Sequence, residues 1–131
     1  MKHQSDLAKG WLLKGDSDLA NAKRTVCSDG PYDTACFHAQ QAAEKYLKAI
    51  LAFHKVMIPR THDLEELQLL CVEFVTSADF KQMALEELSD YAVSVRYDFE
   101  FWPDIKTAED AIEIAKKVRL VTFECIPSAG E

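Results

Sequence analysis

Phe37-His38-Ala39-Gln40-Gln41-Ala42-Ala43-Glu44-Lys45-Tyr46-Leu47-Lys48-Ala49-Ile50-Leu51, followed shortly by Pro59-Arg60-Thr61-His62-Asp63-Leu64, is the stretch on which the fold of this chain turns. Its apolar residues recur near the 3.6-residue period of an α-helix. The helix they predict, about residues 32 to 55, carries Ala35, Ala39, Ala42, Tyr46, Ala49, Ile50 and Phe53 on one face, and its alanines let neighbouring backbones approach closely. Leu47 and Leu51 fall well round from that stripe. A helix apolar over so wide an arc is either central in its bundle or shared between two subunits. We expect the second: the surplus surface calls for a twin molecule, with Leu47 and Leu51 as dimer-interface residues.

The flanking sequence reads as further helices. Over residues 5 to 27, Leu7, Trp11, Leu12, Leu19, Ala22 and Val26 keep helical spacing, and Ser28-Asp29-Gly30-Pro31 stops them with a permissive glycine and a fixed proline φ. Beyond the Pro59 turn, Asp63 with Glu66 forms a capping-box-like start to a third helix reaching about Val75, with Leu64, Leu67, Leu70, Cys71 and Phe74 as its buried face. Ser77 or Asp79 is expected to cap a fourth helix over 80 to 96, whose Phe80, Met83, Ala84, Leu88, Tyr91, Ala92 and Val95 point one way. Thr107 with Asp110 is expected to cap a fifth over 108 to 124, closed by Pro127. Tyr97-Asp98-Phe99-Glu100-Phe101-Trp102-Pro103 alternates like a strand but has no partner strand, so an ordered loop is expected. The prediction is a single all-α domain spanning residues 1–131, an antiparallel up-and-down bundle of four to five helices.

Composition narrows the function. At 131 residues, 48% hydrophobic and 28% charged, the chain can fold as one domain without disulfide or metal staples. Cys27, Cys36, Cys71 and Cys125 stand far apart with no CxxC pair, which fits reduced, mostly buried thiols rather than a metal or redox site. No apolar run approaches the ~20 residues of a membrane span, and Met1 to Asp6 lack the apolar core of a secretory signal, so the expected location is the cytoplasm. A formal charge of -7 opposes general coating of RNA or DNA. Charge is also local: Lys45, Lys48 and Lys55 gather on the second helix, leaving room for a small basic site on an acidic body.

Three clusters compete for chemistry. His38, Gln41, Lys45 and Lys48 follow i, i+3, i+7, i+10 spacing and share about a quarter of the helix circumference, where a nucleotide phosphate would meet two ammonium groups and an imidazole. The competing account is a solvated face with Glu44 pairing Lys48 at i, i+4. Arg60-Thr61-His62-Asp63 sits at a helix start, where free N–H groups attract anions, or where Asp63 caps and His62 bonds locally. Arg96, Tyr97, Phe99, Phe101 and Trp102 close the fourth helix with a cation and stacking rings; their alternatives are a phosphate or base contact, or a core plug and dimer contact with Phe99 and Trp102 at the seam.

Taken together, Trp11 with Asp16-Ser17-Asp18-Leu19-Ala20, the Phe37 to Leu51 run, the Pro59 to Leu64 turn and Arg96-Tyr97 with Phe99 resemble the HEPN domain over nearly the whole chain. That resemblance implies a bundle paired through a two-fold dimer. Small stand-alone members are often encoded beside a minimal nucleotidyltransferase in toxin-antitoxin-like pairs. Many HEPN proteins are metal-independent RNases with an Arg, four to six residues, then His. The Arg in the matching place is Arg96, but Phe101, Trp102 and Pro103 occupy the histidine positions and no histidine follows His62. Arg96 therefore transfers only as a positioned cation, with no catalytic residue carried over, and His62 is the lone histidine to test as a nonstandard base. The reading that results is a homodimeric interaction protein that partners a minimal nucleotidyltransferase, does not cleave RNA, and offers Lys45, Lys48 and Tyr97 to ATP or GTP. The alternative is a divergent HEPN ribonuclease toxin. No metal or other cofactor is implied.

Overall fold

The helix built on Phe37 to Leu51 runs through the middle of the molecule. The computed structural model describes residues 4–126, with side chains from Asp6 onward. These residues form α1 (Gln4–Val26), α2 (Asp33–Phe53), α3 (Leu64–Cys71), α4 (Glu86–Tyr97) and α5 (Ile105–Cys125), with single 3-10 turns at Val72–Phe74 and Phe80–Gln82 and no strand. α2 packs against α1, α3, α4 and α5. Fourteen of its residues are buried, among them every residue of the predicted face except Phe53, which is half-buried. The domain is all-α, as its periodicity predicts.

That central position overturns one expectation. Leu47 and Leu51 are both 0% exposed within a single chain, so neither is available to a dimer seam. The wide apolar arc of α2 is covered by four helices of its own subunit, which is the alternative that the arc alone left open.

The ends of α2 show how local chemistry sets its length. At its start, Gly30 has φ 87, a left-handed turn before Pro31 that glycine adopts without strain. At its end, Lys55 N–H donates to Ala52 O at 3.2 Å and Val56 N–H to Leu51 O at 2.9 Å, the paired hydrogen bonds of a Schellman motif. Lys55 takes the left-handed position with φ 59, where glycine is usual. Lys55→Gly should therefore stabilise the protein by about 0.5–1 kcal/mol, read as a higher urea midpoint at unchanged slope. A lower midpoint would mean that the Lys55 side chain contributes more than its backbone costs.

The third helix starts as expected on Asp63, whose Oδ1 accepts the Glu65 N–H at 3.0 Å. Glu66 does not complete a capping box. Thr61 Oγ1 accepts the Asp63 N–H at 3.0 Å instead, and Ser89 Oγ of α4 accepts the Leu64 N–H at 2.9 Å.

The fourth helix begins at Glu86 rather than near residue 80, and neither Ser77 nor Asp79 caps it. The reason lies across the bundle. The buried Gln68 amide of α3 donates to Phe80 O at 2.7 Å and Met83 O at 3.0 Å, pinning residues 80–83 as a single 3-10 turn, in which Phe80 O also accepts the Met83 N–H at 3.1 Å, apart from α4. The fifth helix begins three residues early, because Asp104 accepts both the Thr107 N–H (2.9 Å) and the Thr107 hydroxyl (2.8 Å). Thr107 is thus the donor to the cap rather than the cap. Pro127 lies outside the described residues.

Residues 98–104 form the ordered connection between α4 and α5. Phe101 plugs it into the core against Tyr91, with ring centroids 5.4 Å apart, while Phe99 and Trp102 face outward. All four cysteines are free: Cys36 and Cys71 are buried, Cys125 is half-buried and Cys27 is exposed. Burial pushes the Cys36 and Cys71 thiols up to about 12, so neither is a ready nucleophile at neutral pH. Among the described residues no helix is long and apolar enough to cross a membrane, and no group of His, Cys, Asp and Glu is arranged to hold a metal ion.

Candidate functional site

The polar residues of α2 form a seam between α1 on one side and the α3 approach and α4 on the other. On the α1 side, Asp18 accepts from His38 Nδ1 at 2.8 Å and also binds the Lys45 ammonium. On the other, Glu44, only 3% exposed, binds Lys48 Nζ at 2.9 Å and His62 Nδ1 at 2.9 Å. Gln40 Nε2 donates to Glu44 Oε1 at 3.2 Å and to His62 O at 3.0 Å, and Gln41 Nε2 donates to Gln40 Oε1 at 2.7 Å. Lys48 also lies 5.5 Å from the ring centre of Trp11.

Two consequences follow from this wiring. A carboxylate only accepts, so the Nδ1 of His38 and of His62 must each carry a proton, which turns both Nε2 atoms away from the carboxylates. Further, Lys45 and Lys48 already hold carboxylates, and Lys48 is itself buried. A phosphate on this seam would compete with Asp18 and Glu44 for the same ammonium groups. The structure thus brings His38, Gln41, Lys45 and Lys48 onto one seam, makes the i, i+4 pair of Glu44 with Lys48 that the spacing of α2 offers, and adds Asp18, Gln40 and Trp11, which that spacing does not select.

Arg96 stands in the last turn of α4, exposed, with its guanidinium carbon 5.2 Å from the ring centre of Phe37. Phe37 meets the His38 ring edge-on at 5.8 Å. His62 belongs to the other end of α4, where its carbonyl lies 3.4 Å from Ser89 Oγ. Ser89 and Arg96 are seven residues apart, roughly 10 Å along the helix axis, so Arg96 and His62 of one chain do not converge. Tyr97 follows Arg96 and is 71% exposed. Its hydroxyl makes no hydrogen bond among the described residues, whereas Tyr46 and Tyr91 donate to carboxylates and Tyr32 to a carbonyl.

A second charged cluster joins helices far apart in the chain. Asp16 of α1 accepts from Arg119 Nε of α5 at 2.9 Å and from the Tyr46 hydroxyl of α2 at 2.5 Å. Burial pushes the Asp16 carboxyl up, but the Arg119 and Tyr46 hydrogen bonds with the Arg119 charge outweigh it and hold the group below the usual carboxylate range. A depressed folded-state value contributes stability above the unfolded value and loses it as pH falls through the folded one. Asp16→Asn should therefore unfold less steeply than wild type as pH falls below about 4, checked by thermal melts across an acid series. Parallel curves would show that Asp16 does not carry that acid sensitivity.

The fold and the seam define a class: an antiparallel helical bundle organised on a central, polar-striped second helix. The HEPN domain family model matches residues 8–125, and the chain belongs to the HEPN family. Among solved structures, TT1696 from Thermus thermophilus is similar at 25% identity over 90% of this chain and 97% of its own, with a TM-score of 0.75. ST0689, described as an archaeal HEPN homologue, is similar at 26% identity over 96% of this chain and 99% of its own, with a TM-score of 0.68. A comparison with curated proteins finds no match.

Proposed function

We propose that this HEPN protein is a non-cleaving interaction module. It pairs with a second copy through Phe99 and Trp102 of the α4–α5 connection, and a minimal nucleotidyltransferase acts on Tyr97, which lies beside that seam and outside it. The observation that carries this reading is the exposed aromatic corner: Phe99 is 84% exposed, Trp102 66% and Tyr97 71%, with Val93 one turn before Tyr97 on the same side of α4. Aromatic side chains are enriched at interface centres, and large apolar side chains gathered at one place outside a core mark contact surfaces. Phe99 and Trp102 keep the dimer role that Leu47 and Leu51 lose. In this reading the free Tyr97 hydroxyl attacks the α-phosphorus of ATP or GTP, pyrophosphate leaves, and the phenolic proton passes to a base of the transferase.

Size-exclusion chromatography with light scattering tests the first half. Wild type should run as a dimer at micromolar concentration, and a Phe99→Ser, Trp102→Ser variant as a folded monomer. Incubation with a cognate transferase and labelled ATP tests the second, with label on wild type and none on Tyr97→Phe. A monomeric wild type removes the pairing, and an unlabelled one removes the modification.

A ribonuclease reading has one observation in its favour. Glu44 holds the His62 ring through Nδ1–H and leaves Nε2 turned away from that carboxylate, the orientation that a carboxylate gives a catalytic histidine. In this reading, His62 of one chain meets Arg96 of the second copy. Expression should then arrest growth and Arg96→Ala relieve it; a harmless wild type that leaves purified tRNA intact ends this reading.

A further inference from the structure

The groove between α1 and α5 lies apart from the α2 seam, and neither function above uses it. It is an open groove of about 550 Å³, within the roughly 300–1,000 Å³ common for small-molecule sites. Leu19, Ala20, Lys23, Lys116, Arg119 and Leu120 line it, with Asp16 in its wall. The local charge therefore runs against a chain whose formal net charge is -7.

The geometry keeps that charge available. Asp16 is the one acid of the lining, and it is already occupied by Tyr46 and by Arg119. Arg119 is fixed in return: its Nε and one Nη2 hydrogen face Asp16, and its guanidinium carbon lies 4.3 Å from the ring centre of Phe123. Held in this way, the guanidinium is a rigid, planar group of the kind suited to phosphate. Lys23 has no ion-pair partner among the described residues, and Lys116 is held only by Glu113, an exposed i, i+3 contact on its own helix that water weakens. Leu19, Ala20 and the exposed Leu120 supply an apolar side to the same space.

The structure assigns this groove to a small phosphorylated molecule with an apolar or aromatic portion. The phosphate sits among Arg119, Lys23 and Lys116, and the remainder lies on Leu19, Ala20 and Leu120. Lys23 and Lys116 beside the Asp16-paired Arg119 favour a dianion over a carboxylate, and the leucines favour an organic ester over inorganic phosphate.

Two-dimensional amide NMR of the full chain, titrated separately with phenyl phosphate, benzoate and inorganic phosphate, tests this. Phenyl phosphate should give saturable shifts confined to residues 16–23 and 116–123 and bind most tightly of the three. A Lys23→Gln, Lys116→Gln variant, which leaves the Asp16, Tyr46 and Arg119 frame intact, should bind it at least roughly tenfold more weakly while melting like wild type. The assignment is overturned by any of three results: no saturable shift up to about 10 mM, shifts centred on Lys45 and Lys48 instead, or equal binding by the double variant.

Discussion

Glu44→Ala is expected to destabilise the protein by about 3–5 kcal/mol, the cost of leaving one member of a buried ion pair without its partner. Glu44 and Lys48 have side chains only 4% and 11% exposed, so water cannot take over when the carboxylate goes. The same carboxylate accepts from Gln40 and His62, and through His62 it ties the approach to α3 onto α2. Removal therefore leaves the buried Gln40 amide short of an acceptor as well as stranding the Lys48 charge, while the half-exposed His62 ring can turn to water. Replacing the pair together, Glu44→Leu with Lys48→Met, should recover most of the loss, because the desolvation penalty disappears along with the attraction. Urea denaturation of the single and double variants measures both. A single-variant loss under about 1 kcal/mol would show that Lys48 escapes to solvent and that the pair is peripheral.

Gly15→Ala should cost about 1–3 kcal/mol, unusual for a change that normally stabilises a helix interior. A Cβ on Gly15 would stand 2.7 Å from Tyr46 Cε1 and 3.0 Å from Cδ1. The ring has no easy retreat, since Tyr46 is fully buried and its hydroxyl is held by Asp16. A Cβ on Gly10 of the same helix would meet nothing within 4 Å, so Gly10→Ala is the matched control and should stabilise by roughly 0.5–1 kcal/mol. If both variants shift the urea midpoint upward alike, the α1 to α2 packing is looser than these distances say.

What the sequence makes legible here is local chemistry repeated along one element. The alanine face of α2 follows from spacing, and Asp63 as a cap follows from its place before Leu64. Features set by distant residues are hidden. The delayed start of α4 depends on Gln68, twelve residues before Phe80, and nothing in residues 80 to 96 announces it. Asp16 and Arg119 are 103 residues apart. Leu47 and Leu51 mislead for a related reason: a wide apolar arc shows how much surface must be covered, and only the tertiary arrangement shows that one chain covers it. Asp104 is the better-signalled cap, an acid directly before the helical run with a hydroxyl three residues on, whereas Thr107 lies inside the first turn. Of the candidate site, the α2 stripe is readable from i, i+3 and i+7 spacing, but its partners Asp18 and His62 come from other elements.

The packing of α2 against four other helices also sets the order in which the protein opens. α3 is only eight residues long and packs mainly along α2 and α4, so its amides can exchange with solvent through a partial detachment. No such local route exists for the amides of α2, which must wait for the whole bundle to come apart. Deuterium should therefore enter the α3 region first and reach Ala42 to Ile50 only at the rate of global unfolding, making α2 the clock by which the stability of the entire molecule can be read.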